Sequence, residues 1–278
     1  MKENLYRKKI VLSETGEIKK ILRGLNLHSI CEESMCPNIS ECFKKKTATF
    51  LILGDICTRN CRFCSVKKGV PLHPDNNEPE RVAEAVRLLG MEYVVITSVT
   101  RDDILDGGAG IFKKTVEEIR KTGFSGRIEI LIPDFSGDEK SIETVIDSSP
   151  DVISHNIETV KRLYPVLRDK ADYERSLSVL KKIKGLKPTQ KTKSGIMLGL
   201  GETEEEILNT IQDIASTGCE FLSIGQYLSP SIKSYPVKKY FSPAEFNYYK
   251  EKAYSYGFRY VESGVYVNPV IVPAVAPG

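Results

Sequence analysis

Six of the seven cysteines in this chain of 278 residues fall between Cys31 and Cys64. In a reducing compartment such crowding argues for metal, and an odd total fits a complete disulfide framework poorly. One set reads Cys57-Thr58-Arg59-Asn60-Cys61-Arg62-Phe63-Cys64. Three thiolates in one short loop can wrap three corners of a four-iron cluster and leave the fourth iron without a protein ligand. An open coordination position is what a catalytic metal needs. The other set, Cys31, Cys36 and Cys42, lies in a polar leader where packing does not explain it, and reads as a second three-thiolate site. The competing reading of the first set is zinc, but the usual zinc pattern needs two C-x2-C pairs and only Cys61 and Cys64 form one. For the second set it is a structural metal that pins the leader. Cys219 stands apart and reads as an inert buried thiol.

These side chains need elements to position them. After the leader, short apolar runs alternate with amphipathic segments. The runs are Thr49–Leu53, Tyr93–Thr97, Ile128–Ile132, Val152–Ser154, Gly195–Leu198 and Phe221–Ile224. Most are rich in Ile, Val or Leu, as buried parallel strands are. Helical spacing is expected over Pro79–Leu89, Phe112–Lys121, Glu139–Asp147, Ile157–Leu163, Tyr173–Ile183 and Thr203–Ser216. Thr203 and Glu206 form a capping box, and Ser242 with Pro243 opens a last helix. Six strand–helix units in a row give an α/β class and a (β/α)6 partial TIM-type barrel, although periodicity alone also fits a doubly wound open sheet. The expected division is an extension over 1–47 carrying Cys31, Cys36 and Cys42, the partial barrel over 48–260, and a tail over 261–278. In a barrel, chemistry sits at the C-terminal strand ends. Cys57, Cys61 and Cys64, then Ser98–Asp106, Pro133-Asp134, His155-Asn156, Glu158, Gly199–Gly201 and Gln226-Tyr227 all fall there.

The charge balance, 40 basic against 37 acidic residues, makes no electrostatic case for nucleic acid. The runs Lys44–Lys46 and Lys181–Lys187 read as solvated faces. The start MKENLYRKKI has no apolar core for a signal peptide, and no stretch approaches a membrane span, so a soluble, cytoplasmic protein is expected.

The C-x3-C-x2-C string, with Phe63 before its last cysteine, resembles the signature of the radical S-adenosylmethionine (SAM) superfamily. The upstream C-x4-C-x5-C set resembles the lipoyl synthase family within it. So do Thr97-Ser98-Val99-x-Arg101-Asp102-Asp103, Asp106-Gly107-Gly108-Ala109, Leu131-Ile132-Pro133-Asp134-Phe135 and His155-Asn156-x-Glu158-Thr159. Lys193-Ser194-Gly195-x-Met197-Leu198-Gly199 and Ile224-Gly225-Gln226-Tyr227-Leu228 extend the likeness along most of the chain.

The resemblance implies two 4Fe-4S clusters and SAM as cofactors. The substrate would be an octanoyl chain on a lysine of a lipoyl carrier protein or lipoyl domain. Deoxyadenosyl radicals would take hydrogen at C6 and C8, and the leader cluster would give sulfur. A low-potential donor such as ferredoxin or flavodoxin would supply electrons. Alternatives are another two-cluster radical SAM enzyme and a non-catalytic metal-binding module. Asn156, Glu158 and Arg168 are the expected SAM contacts. Their plainer readings are a helix start for Asn156 and Glu158 and a surface ion pair for Arg168. Arg101 and Asp102 are expected to shape a substrate mouth, Gly107-Gly108 to allow close approach or a plain turn, and Gln226-Tyr227 to touch adenine or the chain. The tail departs from the family: no serine follows Ser263, whereas the family's ending supplies one as the fourth ligand of the leader cluster. A frame shift after Val267 would account for that ending; gene sequence unable to encode Ser-Ser in the shifted frame would end the idea.

Overall fold

A computed structural model of the chain describes residues 16–33, 38–39 and 49–268. The leader contributes α1 (Gly16–Gly24), β1 (His28–Ser29) and α2 (Ile30–Glu33). Then follow β2 (Thr49–Ile52), β3 (Ile56–Cys57), β4 (Lys67–Lys68), α3 (Glu78–Leu89), β5 (Tyr93–Ser98) and α4 (Ala109–Lys121). The middle holds β6 (Arg127–Leu131), α5 (Glu139–Asp147), β7 (Val152–Ser154), α6 (Tyr164–Leu167) and α7 (Tyr173–Leu186). The chain continues through β8 (Lys191–Leu198), α8 (Glu204–Ser216), β9 (Phe221–Gln226), α9 (Pro243–Ser255) and β10 (Tyr260–Gly264).

The main sheet has eight strands in the order β1-β2-β5-β6-β7-β8-β9-β10. From β2 to β10 every neighbouring pair is parallel, so each connection must cross over, and the amphipathic helices make those crossings. Parallel register puts Ile96, Ile130 and Ile153 side by side on one face. They join Val82, Val86, Phe112 and Val145 of the helices in one buried cluster. A second cluster, with Ile196, Leu198, Leu222 and Ile224, lies under α8 and α9. The other face turns Thr97, Leu131, Ser154 and Lys193 inward in one row.

The six expected strands all form, and the chain has the α/β partial barrel of six βα units. A seventh parallel strand, β10, follows the last helix and carries the sheet past residue 260 to Gly264. The leader also joins the sheet, since His28 and Ser29 pair antiparallel with Leu51 and Phe50. Thr203–Glu206 and Ser242–Glu245 both form full capping boxes. The helix expected over Ile157–Leu163 does not form. The Glu158 N–H donates to the Gly195 carbonyl at 2.9 Å, and the Met197 N–H donates to the Glu158 carbonyl at 2.8 Å. Ladder pairing with β8 thus competes with a helix there and wins. Helical turns begin only at Lys161, and Pro165 sits in the first turn of α6. No helix among the described residues is long and apolar enough to cross a membrane.

Candidate functional site

The first cysteine set forms a loop across the C-terminal mouth of the sheet. Cys57 ends β3, which pairs with β4 beyond the loop. Backbone bonds tie this segment to three neighbours. Thr58 N–H donates to the Thr100 carbonyl at 3.1 Å, after β5. Arg62 N–H donates to the Leu167 carbonyl at 2.9 Å, and Tyr235 N–H, after β9, donates to the Arg62 carbonyl at 2.9 Å. Cys57, Cys61 and Cys64 are half-buried thiols without a disulfide. Burial pushes the Cys61 thiol up to about 11, with Arg168 pulling the other way. Burial raises Cys64 as well. Thiols raised in this way, as Cys61 and Cys64 are, lose their protons on binding a metal.

Behind the loop lie residues from the end of β7. His155 and Asn156 are buried, at 1% and 3% exposure. The His155 Nε2, both amide atoms of Asn156 and the Arg168 Nε are buried and lack hydrogen-bond partners. Buried polar atoms are nearly always satisfied, so four orphans in one place mark a site for a polar ligand. Glu158 has a left-handed backbone at φ +67°. Burial raises its carboxyl and Arg168 lowers it. Both Glu158 and Arg168 act electrostatically on Cys61, so the expected SAM contacts and the cysteine loop share one site. No helix starts at Asn156 or Glu158, which removes their plainer reading. Arg168 makes no carboxylate ion pair within 4 Å among the described residues. Its guanidinium instead donates to the carbonyls of Asn156 at 3.1 Å and Ile157 at 3.3 Å, and to the Tyr164 hydroxyl at 2.8 Å.

Sequence reasoning missed a buried ion cluster beside this loop. Arg59 donates to both oxygens of Asp102 and both of Asp134. Arg175 adds a bond to Asp134 at 2.9 Å. Burial disfavours the charges of Arg59 and Asp134, but their mutual contact outweighs it. The Arg59 pKa is driven up and the Asp134 carboxyl is held far below the usual carboxylate range. The only signal in the sequence was that Arg59 lies between two cysteines and Asp134 beside a strand end.

A cavity of about 490 Å³ adjoins the mouth, lined by Arg101, Asp102, Ile104, Leu105, Pro133 and Phe135 among others. Arg101 is buried and donates to the carbonyls of Leu53 and Leu72 while pairing with Asp103. Gly107-Gly108 forms a turn capped by Asp106, whose carboxylate accepts from the Gly108 N–H at 2.9 Å. Gln226 is structural: its amide donates to three carbonyls and accepts from the Phe241 N–H. The Tyr227 hydroxyl is spent on the Tyr235 carbonyl.

Of the leader set, Cys31 is buried in α2. Cys36 and Cys42 lie outside the described residues. The leader nonetheless meets the first set, since the Ser65 hydroxyl donates to the Glu33 carbonyl at 2.6 Å. His28, Glu33 and Asp55 bring ligand atoms within 4.8 Å of one another. Lys67 already neutralises Asp55, so the trio reads as an ion cluster.

The family model of the radical SAM superfamily matches residues 51–214. A lipoyl synthase of Caldicellulosiruptor saccharolyticus is 57% identical over 252 residues, covering 91% of this chain and 88% of that protein. A lipoyl synthase of Geotalea uraniireducens is 54% identical over 262 residues, covering 94% and 92%. Among solved structures, methylornithine synthase matches with a TM-score of 0.57 at 14% identity, over 78% of this chain and 71% of that one. The FeFe-hydrogenase maturase HydG from Carboxydothermus hydrogenoformans matches at 0.58 and 15%, over 88% and 70%. At such identities the solved structures share the fold.

Proposed function

This chain belongs to the lipoyl synthase family of the radical SAM superfamily, and from that premise we propose how its own residues divide the work. The enzyme inserts sulfur at C6 and C8 of a protein-bound octanoyl chain, using SAM and two 4Fe-4S clusters, with an octanoylated lipoyl domain as substrate. Cys57, Cys61 and Cys64 hold the cluster that meets SAM, and Cys31, Cys36 and Cys42 hold the second. Once bound, these groups supply a deoxyadenosyl radical that removes hydrogen and sulfide that replaces it.

The protein's part is to bind, orient and shield. The bare atoms behind the cysteine loop carry this assignment: His155 Nε2, the Asn156 amide and Arg168 Nε form a polar cradle next to Cys61. In it, Arg168 offers a cation to the SAM carboxylate. Glu158 offers a carboxylate to its amino group or ribose, a charge-assisted bond of the strong kind. The cavity at Arg101 and Asp102 receives the lysine-borne chain. Its volume of about 490 Å³ supports this, as ligand pockets run from roughly 300 to 1,000 Å³. An electron donor of low potential, of the ferredoxin or flavodoxin kind, docks near the exposed edge of the cysteine loop. The near-even charge balance supports partners other than nucleic acid or a membrane surface. The crowded thiols support a place in the reducing cytoplasm. The leader over 1–47, the barrel from 48 through β10 at Gly264 and the tail that follows act as one catalytic unit.

The test is iron and sulfide per chain after anaerobic reconstitution, followed by turnover of an octanoyl-lysyl peptide. About eight irons are expected, and about four when Cys57, Cys61 and Cys64 are changed to Ala. Zinc in place of iron, with no SAM cleavage, would point to the non-catalytic metal module. Iron with SAM cleavage but no thiolated peptide would point to another two-cluster radical enzyme.

A further inference from the structure

Arg59 lies inside the cysteine loop, yet its side chain is only 5% exposed. Its Nε and Nη2 grip Asp102 at 2.9 and 2.7 Å, and its Nη1 and Nη2 grip Asp134 at 3.0 and 2.7 Å. Asp102 follows β5 and Asp134 follows β6. Arg175 of α7 closes the cluster from the next βα unit at 2.9 Å. One guanidinium therefore fastens the cysteine loop to two strand ends, with a helix behind them. The planar fork is suited to this, since it meets a carboxylate through two parallel bonds. The same residue's N–H also points at the Cys57 sulfur at 3.5 Å. Hydrogen bonds to ligand sulfur are one of the means by which a protein tunes an iron–sulfur cluster.

We propose that Arg59 is a positioning residue for SAM cleavage: it sets the height and tilt of the cysteine loop over the barrel mouth, acting through Cys57 and Cys61. This rests on reading Cys57, Cys61 and Cys64 as cluster ligands. A wild-type chain that takes up no iron would fell that reading, whereas the variants below judge Arg59 alone.

Three full-length variants are compared after reconstitution. Arg59→Lys keeps the charge but loses the fork. Asp102→Asn weakens one grip at the partly exposed end. The double variant Arg59→Gln/Asp134→Asn removes both charges, so no carboxylate is left buried without its partner. Thermal unfolding, iron content, KM and kcat for deoxyadenosine formation, and the SAM-dependent change in the reduced-cluster EPR spectrum are measured. Folded variants are expected to lose up to about a hundredfold in kcat/KM, the scale of an ångström-sized misplacement. The EPR response to SAM should weaken, and Arg59→Lys should recover only part of the loss. Iron lost from a folded variant supports the proposal too, because the loop is what holds it. Wild-type cleavage and a wild-type EPR response in the double variant would overturn it. Loss of the fold in all three variants would also overturn it, by making Arg59 a stability residue and nothing more.

Discussion

The Nδ1 of His155 lies 2.9 Å from the carbonyl oxygen of Ile132. A carbonyl can only accept, so this nitrogen must carry the proton. The contact fixes the tautomer and leaves Nε2 as a bare acceptor facing the cradle beside Cys61. Burial, helped by the nearby charge of Arg168, holds the ring pKa down at about 4. His155 is therefore neutral wherever the enzyme works.

That shift makes stability depend on pH. The folded pKa lies below the unfolded value, so the contribution is complete above about pH 6.5 and fades as pH falls toward 4. Its size is on the order of 3 kcal/mol. Urea unfolding of the cluster-free chain at pH 7.5 and pH 5 should show the loss. His155→Asn, which can keep the bond to Ile132, should show much less of it. Equal losses in both proteins would assign the effect to other groups.

Arg168→Lys and Glu158→Gln should weaken SAM binding without loss of iron. Each removes one charge-assisted contact, so a rise in KM for SAM of about tenfold is expected. Isothermal titration of the reconstituted protein with SAM provides the check. Unchanged affinity in both would remove these residues from the SAM site.

Inside the barrel, Lys193 meets Glu129 at 2.9 Å, with the two side chains 2% and 1% exposed. Ser154 and Tyr93 hydroxyls donate to the same carboxylate. Lys193→Met alone should cost about 3–5 kcal/mol, because it strands a buried charge. Adding Glu129→Gln should recover much of that, since the buried charge is gone, the amide oxygen still accepts from one hydroxyl and its NH2 can donate to the other. A double-mutant cycle that is simply additive would mean the pair does not interact in this way.

Gly199 has φ +112°, and a Cβ there would come within 2.3 Å of the Gln226 amide nitrogen and 2.5 Å of the Lys239 carbonyl. Gly199→Ala should therefore destabilise by about 2–5 kcal/mol through backbone strain and crowding together. Differential scanning calorimetry would register this as a marked drop in Tm. A Tm near wild type would show that the loop after β9 shifts easily.

Cys219 is buried, its thiol is pushed up to about 12 by that burial, and it bonds to the Phe221 carbonyl. In the native cluster-free chain, iodoacetamide should label Cys57 and Cys61 well before Cys219. Mass spectrometry of the digested protein would reveal the order. Early labelling of Cys219 would mean that the β8–β9 region opens readily.

The barrel was legible because each strand writes its own signal. Val94 to Ile96 and Ile130 to Ile132 are apolar runs whatever surrounds them, and Thr203–Glu206 caps its helix locally. The two cysteine sets were legible for the same reason, as spacing within a short loop. Arg59 was not, because its partners stand 43 and 75 residues away. A string of residues does not announce a contact made only when strand ends converge. Glu158 misled for a related reason. Its neighbours have helical spacing, but β8 offers a ladder that no local pattern encodes. The strand over Tyr260–Gly264 was passed over because its polar residues hide a single buried anchor, Val261.

The two edges of the sheet, β1 and β10, come from opposite ends of the polypeptide. Near them, the Asn38 side chain donates to the Tyr266 carbonyl at 2.6 Å, joining residues 228 apart in sequence. Asn38 stands between Cys36 and Cys42. One described residue between the leader thiols is thus tied to the chain just past β10. A contact across so long a separation forms only when both edges of the sheet are in place, so Asn38 is held by the assembled barrel and not by any local motif.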